Sequence, residues 1–114
     1  MVDLSALKPG DLANQMLGEA ARIGGQAWND IKTVATIEFK SAGQHIVEIA
    51  EAVGKKDIDQ ATAVMLFSMV RNNVIATIAM LTTKVVMAIQ HIVDAALAII
   101  ATVVNKAIGF KLIG

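Results

Sequence analysis

Residues Ile58 to Ile108 contain neither Gly nor Pro and read IDQATAVMLFSMVRNNVIATIAMLTTKVVMAIQHIVDAALAIIATVVNKAI. Its polar residues from Asn72 to Lys106 keep to one broad half of a helical wheel, with Thr82 as the exception. Because a break would scramble this phase, the pattern predicts one continuous helix over residues 58–108. Ala and Met residues dilute the polar half, so the predicted helix is apolar on almost every side.

The residues before this stretch predict an amphipathic partner helix. Between Trp28 and Val53, apolar residues recur at helical spacing opposite a Glu-containing polar face, and residues 11–23 continue the pattern. Gly24-Gly25 either ends or bends this arm, and the sequence leaves both alternatives open. Gly54 is suited to a left-handed helix end, and Asp57 offers an N-cap oxygen to the helix that follows.

These elements predict an all-α fold, a long antiparallel helical hairpin that oligomerises. Its expected parts are an N-terminal arm (1–10), an amphipathic helical arm (11–53), a turn (54–57), a long apolar helix (58–108) and a C-terminal tail (109–114). A helix of about 50 residues spans roughly 75 Å. The alternative is a kink near Gln90-His91, which would give a shorter bundle.

A few charged residues are predicted to set the register of the hairpin and of its assembly. If facing residues have numbers that sum to about 111, as Gly54 and Asp57 do, groups of opposite charge meet across the hairpin. The predicted pairs are Glu38 with Arg71, Asp30 with Lys84, Glu19 with His91, and Arg22 with Asp94. His91 also lies one turn before Asp94, so we hypothesise that its protonation makes assembly depend on pH.

The composition argues against most site chemistry. The 114 residues include ten Lys or Arg, ten Asp or Glu, and no Cys. This excludes disulfides, thiol catalysis and thiolate metal sites, and the balanced charge argues against nucleic-acid binding. His45 and Glu48 have metal-ligand spacing, but residues 58–108 contain no Glu to complete such a set. We therefore predict no catalytic residue, metal site, cofactor or small-molecule substrate, and no enzymatic activity.

The apolar helix predicts what the protein binds. A two-helix hairpin cannot cover its whole circumference, and each exposed Leu, Ile or Val forfeits about 1.5–3 kcal/mol. Copies of the same chain or lipid must cover the rest. We expect a non-enzymatic structural protein that self-assembles into a filament, tube, sheet or closed oligomer.

The main alternative is a membrane-active helical hairpin, such as a pore, a lysis component or a membrane-inserting protein. Against it, the longest charge-free runs are shorter than the roughly 20 residues of a membrane span, and no aromatic belt is visible. A third interpretation is an adaptor whose apolar helix is covered by a different protein. The N-terminal residues carry no secretory signal, so the expected location is cytoplasmic, with membrane association left open.

Overall fold

A computed structural model describes residues 4–5, 7–82 and 84–114 of the chain. Within these residues the protein is all-α, with no strand, as predicted. Three helices follow one another: α1 (Pro9–Gly54), α2 (Gln60–Thr82) and α3 (Val86–Ile108). The molecule measures 42 × 22 × 20 Å, which is too short to contain a straight helix of about 75 Å.

Gly25 breaks α1 into two helical segments that fold back on each other. Its backbone has φ 54° and ψ −130°, a conformation that side chains with a Cβ strongly disfavour. The two segments then meet closely enough that a Cβ on Gly43 would lie 2.9 Å from the carbonyl oxygen of Pro9. Gly25 therefore reverses the chain, which decides the question that the sequence left open.

The prediction of one continuous helix over residues 58–108 is wrong, and the two-helix hairpin is replaced by three helices. α2 ends at Thr82, whose hydroxyl donates a hydrogen bond to the Ile78 carbonyl, and Val85 is extended with φ −63° and ψ 129°. β-branched residues lie on both sides of this break and have modest helix propensity, and Ser or Thr bonding back to i−4 bends helices. The reversal falls before Gln90-His91, which lie inside α3. The consequence is a shorter bundle in which α2 and α3 both pack on α1.

One apolar core joins all three helices and the C-terminal tail. Its largest fully buried side chains include Phe39 and Ile46 from α1, Ile78 from α2, and Val93 and Ile100 from α3. No polar or charged residue among those described is buried. All three helices thus bury apolar side chains in the same core.

The helix ends differ in detail from the predicted boundaries. α1 begins at Pro9, inside the predicted arm 1–10, of which residues 1–3 and 6 lie outside the described residues. The positive φ at the end of α1 belongs to Lys56, at 62°, and not to Gly54. The cap of α2 is Asp59, not Asp57, because Asp59 Oδ1 accepts a hydrogen bond from the Thr62 backbone N–H at 2.8 Å. This bond holds the pKa of the Asp59 carboxyl below its usual value.

Candidate functional site

α2 and α3 form an antiparallel pair of apolar helices, here called the α2–α3 hairpin (residues 60–108). Each helix has 23 residues, and each is long and apolar enough to cross a membrane. At 1.5 Å per residue each spans about 34 Å, slightly more than the roughly 30 Å hydrocarbon core of a bilayer. Only 22% of the most apolar 18-residue window of α2, and 33% of that of α3, is buried within the protein. The core helices of a soluble protein would be mostly buried, so these two keep much apolar surface free.

The hairpin carries few charges, and its two central ones are paired with each other. Arg71, the middle residue of α2, is the only Asp, Glu, Lys or Arg in that helix, whereas α3 carries Asp94 and, in its last turn, Lys106. Arg71 Nε lies 2.6 Å from Asp94 Oδ1, and Nη2 lies 3.0 Å from Oδ2. This two-point geometry is the strong form of the Arg–carboxylate interaction. The pair lies within the hairpin, so it does not depend on α1.

The turn between α2 and α3 is surrounded by exposed apolar side chains, which we call the tip patch. Their exposed fractions lie between 48% and 77%, and the set consists of Met80, Leu81, Val85, Val86 and Met87. Lys84 lies among them in sequence, and its Nζ is 2.7 Å from Oδ2 of Asp30 in α1. Of the ion pairs among the described residues, this is the one that joins the hairpin to α1. Lys84 is thus the one charged residue of the tip, and Asp30 of α1 neutralises it.

The C-terminal tail is fastened over the other end of the hairpin by one side chain, Asn105. Its Oδ1 accepts hydrogen bonds from the backbone N–H groups of Leu112 and Ile113, both at 2.9 Å, and its Nδ2 donates to the Ile113 carbonyl at 2.8 Å. Leu112 and Ile113 are therefore buried. They close one end of a groove of about 420 Å³ between α2 and α3, which also borders the Arg71–Asp94 pair.

The structure brings together some of the predicted charge pairs and not others. Lys84 contacts Asp30, as the register predicts. Arg71 pairs with Asp94, not with Glu38. His91 is exposed on the outside of α3. The physical reason is the chain reversal before Val86, which places α3 beside α2 instead of extending it.

Arg22 likewise takes a partner other than the predicted Asp94. It binds Glu19, one turn earlier in the same helix, with 2.5 Å between Nε and Oε1. This hydrogen bond lowers the pKa of Glu19 and raises that of Arg22. The partner of Glu19 is therefore Arg22 and not the predicted His91.

The sequence did not predict the tip patch or the hydrogen bonds by which Asn105 holds the C-terminal tail. The patch was predicted to be the middle of a continuous helix, and the available signal was the run of β-branched residues in Thr82-Thr83-Lys84-Val85-Val86. Asn105 is among the polar residues between Asn72 and Lys106 that the sequence places on one half of a helix, and that pattern does not indicate its contact with the tail.

Neither local chemistry nor similarity to known proteins adds a further site. Among the described residues, no group of three or more His, Asp or Glu side chains is arranged to hold a metal ion. The chain matches no protein-family model, and searches of the curated proteins and of the solved structures give no match. The α2–α3 hairpin is therefore the candidate functional site of the described residues.

Proposed function

We propose that this is a non-enzymatic, membrane-active protein whose α2–α3 hairpin leaves α1 and inserts into a lipid bilayer. The observation that carries this proposal is the Arg71–Asp94 pair inside the hairpin. A charged side chain at the bilayer centre costs about 2.5–3.5 kcal/mol on insertion scales. Because the two central charges of the hairpin bind each other, they enter the bilayer as a neutral pair.

The remaining charges of the hairpin lie where a membrane tolerates them. Lys106 is in the last turn of α3, at the same end as Lys55 and Lys56 before α2. At the other end Lys84 is the one formal charge of the tip. Long Lys side chains near helix ends reach the headgroup region while their methylene stems stay in apolar surroundings. The tip is thus the end that enters the bilayer at the lowest electrostatic cost.

In this proposal α1 covers one apolar side of the α2–α3 hairpin until the hairpin inserts into the bilayer. The buried side of α1 is apolar, from Leu12 to Ala50, and its outer side carries most of its charged residues. When the hairpin moves into lipid, its apolar side chains exchange protein contacts for hydrocarbon contacts, so little burial is lost. An amphipathic α1 keeps its own apolar face covered by lying in the membrane interface.

The test uses the lack of native Cys, which allows one fluorophore to be placed at a chosen site. Met87→Cys labelled with NBD, a dye that brightens in apolar surroundings, reports on the tip patch. Ile37→Cys is the matched control, because Ile37 is also an exposed apolar residue, 62% against 77% for Met87, but lies on α1. On adding vesicles we expect the dye at position 87 to brighten and to be quenched by nitroxide groups on the acyl chains.

Position 37 should be quenched only by nitroxides near the headgroups. The proposal is overturned if neither dye responds to any vesicle, or if both are quenched at the same depth. Equal quenching would mean that the molecule adsorbs as a whole without releasing the hairpin.

A second candidate function, self-assembly without lipid, is favoured by a separate exposed stripe on α2. Met65 and Met69 lie one turn apart and are 66% and 55% exposed, with Leu66 beside them. Met side chains adapt readily to a packing partner, so a second copy of the chain could cover this stripe. Filaments, tubes, sheets and closed oligomers are the forms such packing would give.

Light scattering after size exclusion, with and without detergent, distinguishes the two functions. An assembler gives large particles in detergent-free buffer, and Met65→Lys/Met69→Lys disperses them. A membrane-inserting protein stays small in buffer and responds to vesicles whether or not those two residues are changed.

A further inference from the structure

We infer that the membrane surface recognised by the hairpin is anionic, and that a lipid phosphate replaces Asp30 as the partner of Lys84. This inference rests on the proposed insertion of the hairpin and names its lipid partner. It is carried by two independent observations, the ion pair at the tip and the distribution of charge between α1 and the rest of the chain.

The first observation is that the tip is held to α1 by a contact that another anion can replace. The side chains of Lys84 and Asp30 are 38% and 55% exposed, and their charged atoms are 2.7 Å apart. Such solvent-accessible pairs hold their partners weakly, since water and ions compete for both groups. When the tip patch enters the bilayer, the long Lys84 side chain extends toward the headgroups, where a lipid phosphate can replace the carboxylate.

The second observation is that the chain, although its net charge is zero, consists of one part with a negative net charge and one part with a positive net charge. Residues 9–54, which form α1, contain six acidic and three basic side chains, a net charge of −3. Residues 55–114, which hold the hairpin and its flanks, contain six basic and three acidic side chains, a net charge of +3. An anionic surface therefore attracts the hairpin half and repels the acidic cover, which favours the separation that insertion requires.

The experiment measures vesicle binding by the NBD-labelled Met87→Cys protein, with phosphatidylcholine vesicles against vesicles that also contain phosphatidylglycerol. We expect tighter insertion into the anionic vesicles, and we expect high salt to weaken the preference. Lys84→Gln should reduce the preference about fivefold, the factor that corresponds to about 1 kcal/mol per basic residue at an anionic surface. Lys84→Arg should retain it.

Lys32→Gln is the matched control, because it removes the same charge from an exposed position on α1. It should leave the preference nearly unchanged. Asp30→Asn provides a test that does not depend on the Lys84 variants. It frees Lys84 and should increase insertion into both kinds of vesicle.

The outcomes separate this inference from the proposed function. Insertion that is equally tight with and without anionic lipid overturns the inference and leaves the proposed function standing. The same holds if Lys84→Gln and Lys32→Gln lower the preference equally, which would mean that only net charge matters. Failure of the tip to enter either kind of vesicle, even with Asp30→Asn, overturns both.

Discussion

Replacing Asp94 by Leu should lower the stability of the protein in water by no more than about 1 kcal/mol, yet strongly impair insertion into a bilayer. In the soluble bundle the Arg71 and Asp94 side chains are 32% and 50% exposed, and such pairs contribute at most about 1 kcal/mol. In a bilayer the same substitution leaves Arg71 charged and alone at the middle of α2, because Arg cannot lose its proton there. The penalty is then about 2.5–3.5 kcal/mol.

That penalty corresponds to an insertion constant about 60- to 300-fold smaller, at 1.4 kcal/mol for each factor of ten. The double variant Asp94→Leu/Arg71→Met removes both charges, so its insertion should return to the wild-type value or exceed it. The interaction energy from the full cycle should therefore be well above 1 kcal/mol in lipid and below it in water. Thr102→Leu is the matched control, because it makes an exposed polar position on α3 apolar without leaving a charge unpaired.

Two measurements on the wild type, Asp94→Leu, Arg71→Met and the double variant complete the cycle. Urea unfolding gives the stability of the soluble bundle, and vesicle titration of the fluorophore at position 87 gives insertion. If Asp94→Leu inserts as well as the wild type, the pair does not lie in the bilayer. If the double variant fails as badly as the single one, Arg71 is not the source of the penalty. Either result refutes the assignment of these charges to the membrane interior.

Three further predictions concern the soluble fold. Asn105→Ala removes three hydrogen bonds, each worth about 0.5–1.5 kcal/mol, so the C-terminal tail should detach, lose amide-exchange protection and lower stability by about 2–3 kcal/mol. Gly25→Ala should destabilise the protein by about 2 kcal/mol in urea because of its positive φ, whereas Gly18→Ala, in open helical surroundings, should stabilise it slightly. Because the folded-state pKa of Asp59 is lowered, its cap is fully stabilising above the ordinary carboxyl pKa of 3.8 and is lost as the pH falls through the lower folded value. The difference in melting temperature between wild type and Asp59→Ala should therefore shrink in strong acid, and a difference that stays constant would contradict the assigned cap.

Local patterns in the sequence were enough to predict the class of fold and the chemistry of its surfaces. Apolar residues at helical spacing from Trp28 to Val53 predicted the amphipathic part of α1. The scarcity of charge after Asp59 predicted apolar helical structure over residues 58–108, but not its division into α2 and α3. Even the proximity of Asp30 and Lys84 followed from antiparallel spacing. The helical patterns depend on neighbours within a few turns, which the sequence specifies directly, whereas the Asp30–Lys84 pair joins residues far apart in the chain.

The reversals of the chain could not be predicted in the same way, because they depend on a competition between packing and helix continuity. A Gly inside a helix costs only about 1 kcal/mol, so Gly25 alone does not say whether the helix continues. Between Thr82 and Val86 there is neither Gly nor Pro, and the chain turns there because α3 gains a core by packing against α1 and α2.

What the sequence alone determined is therefore the all-α class of the fold, the apolar faces of its helical segments and the small number of charges that they carry. Only the tertiary structure decided where the helical chain reverses direction, and hence that Arg71 pairs with Asp94 and that Asn105 holds the C-terminal tail. The physical reason is that helical periodicity is a local property, whereas the partner of a charge is set by contacts between residues far apart in the chain.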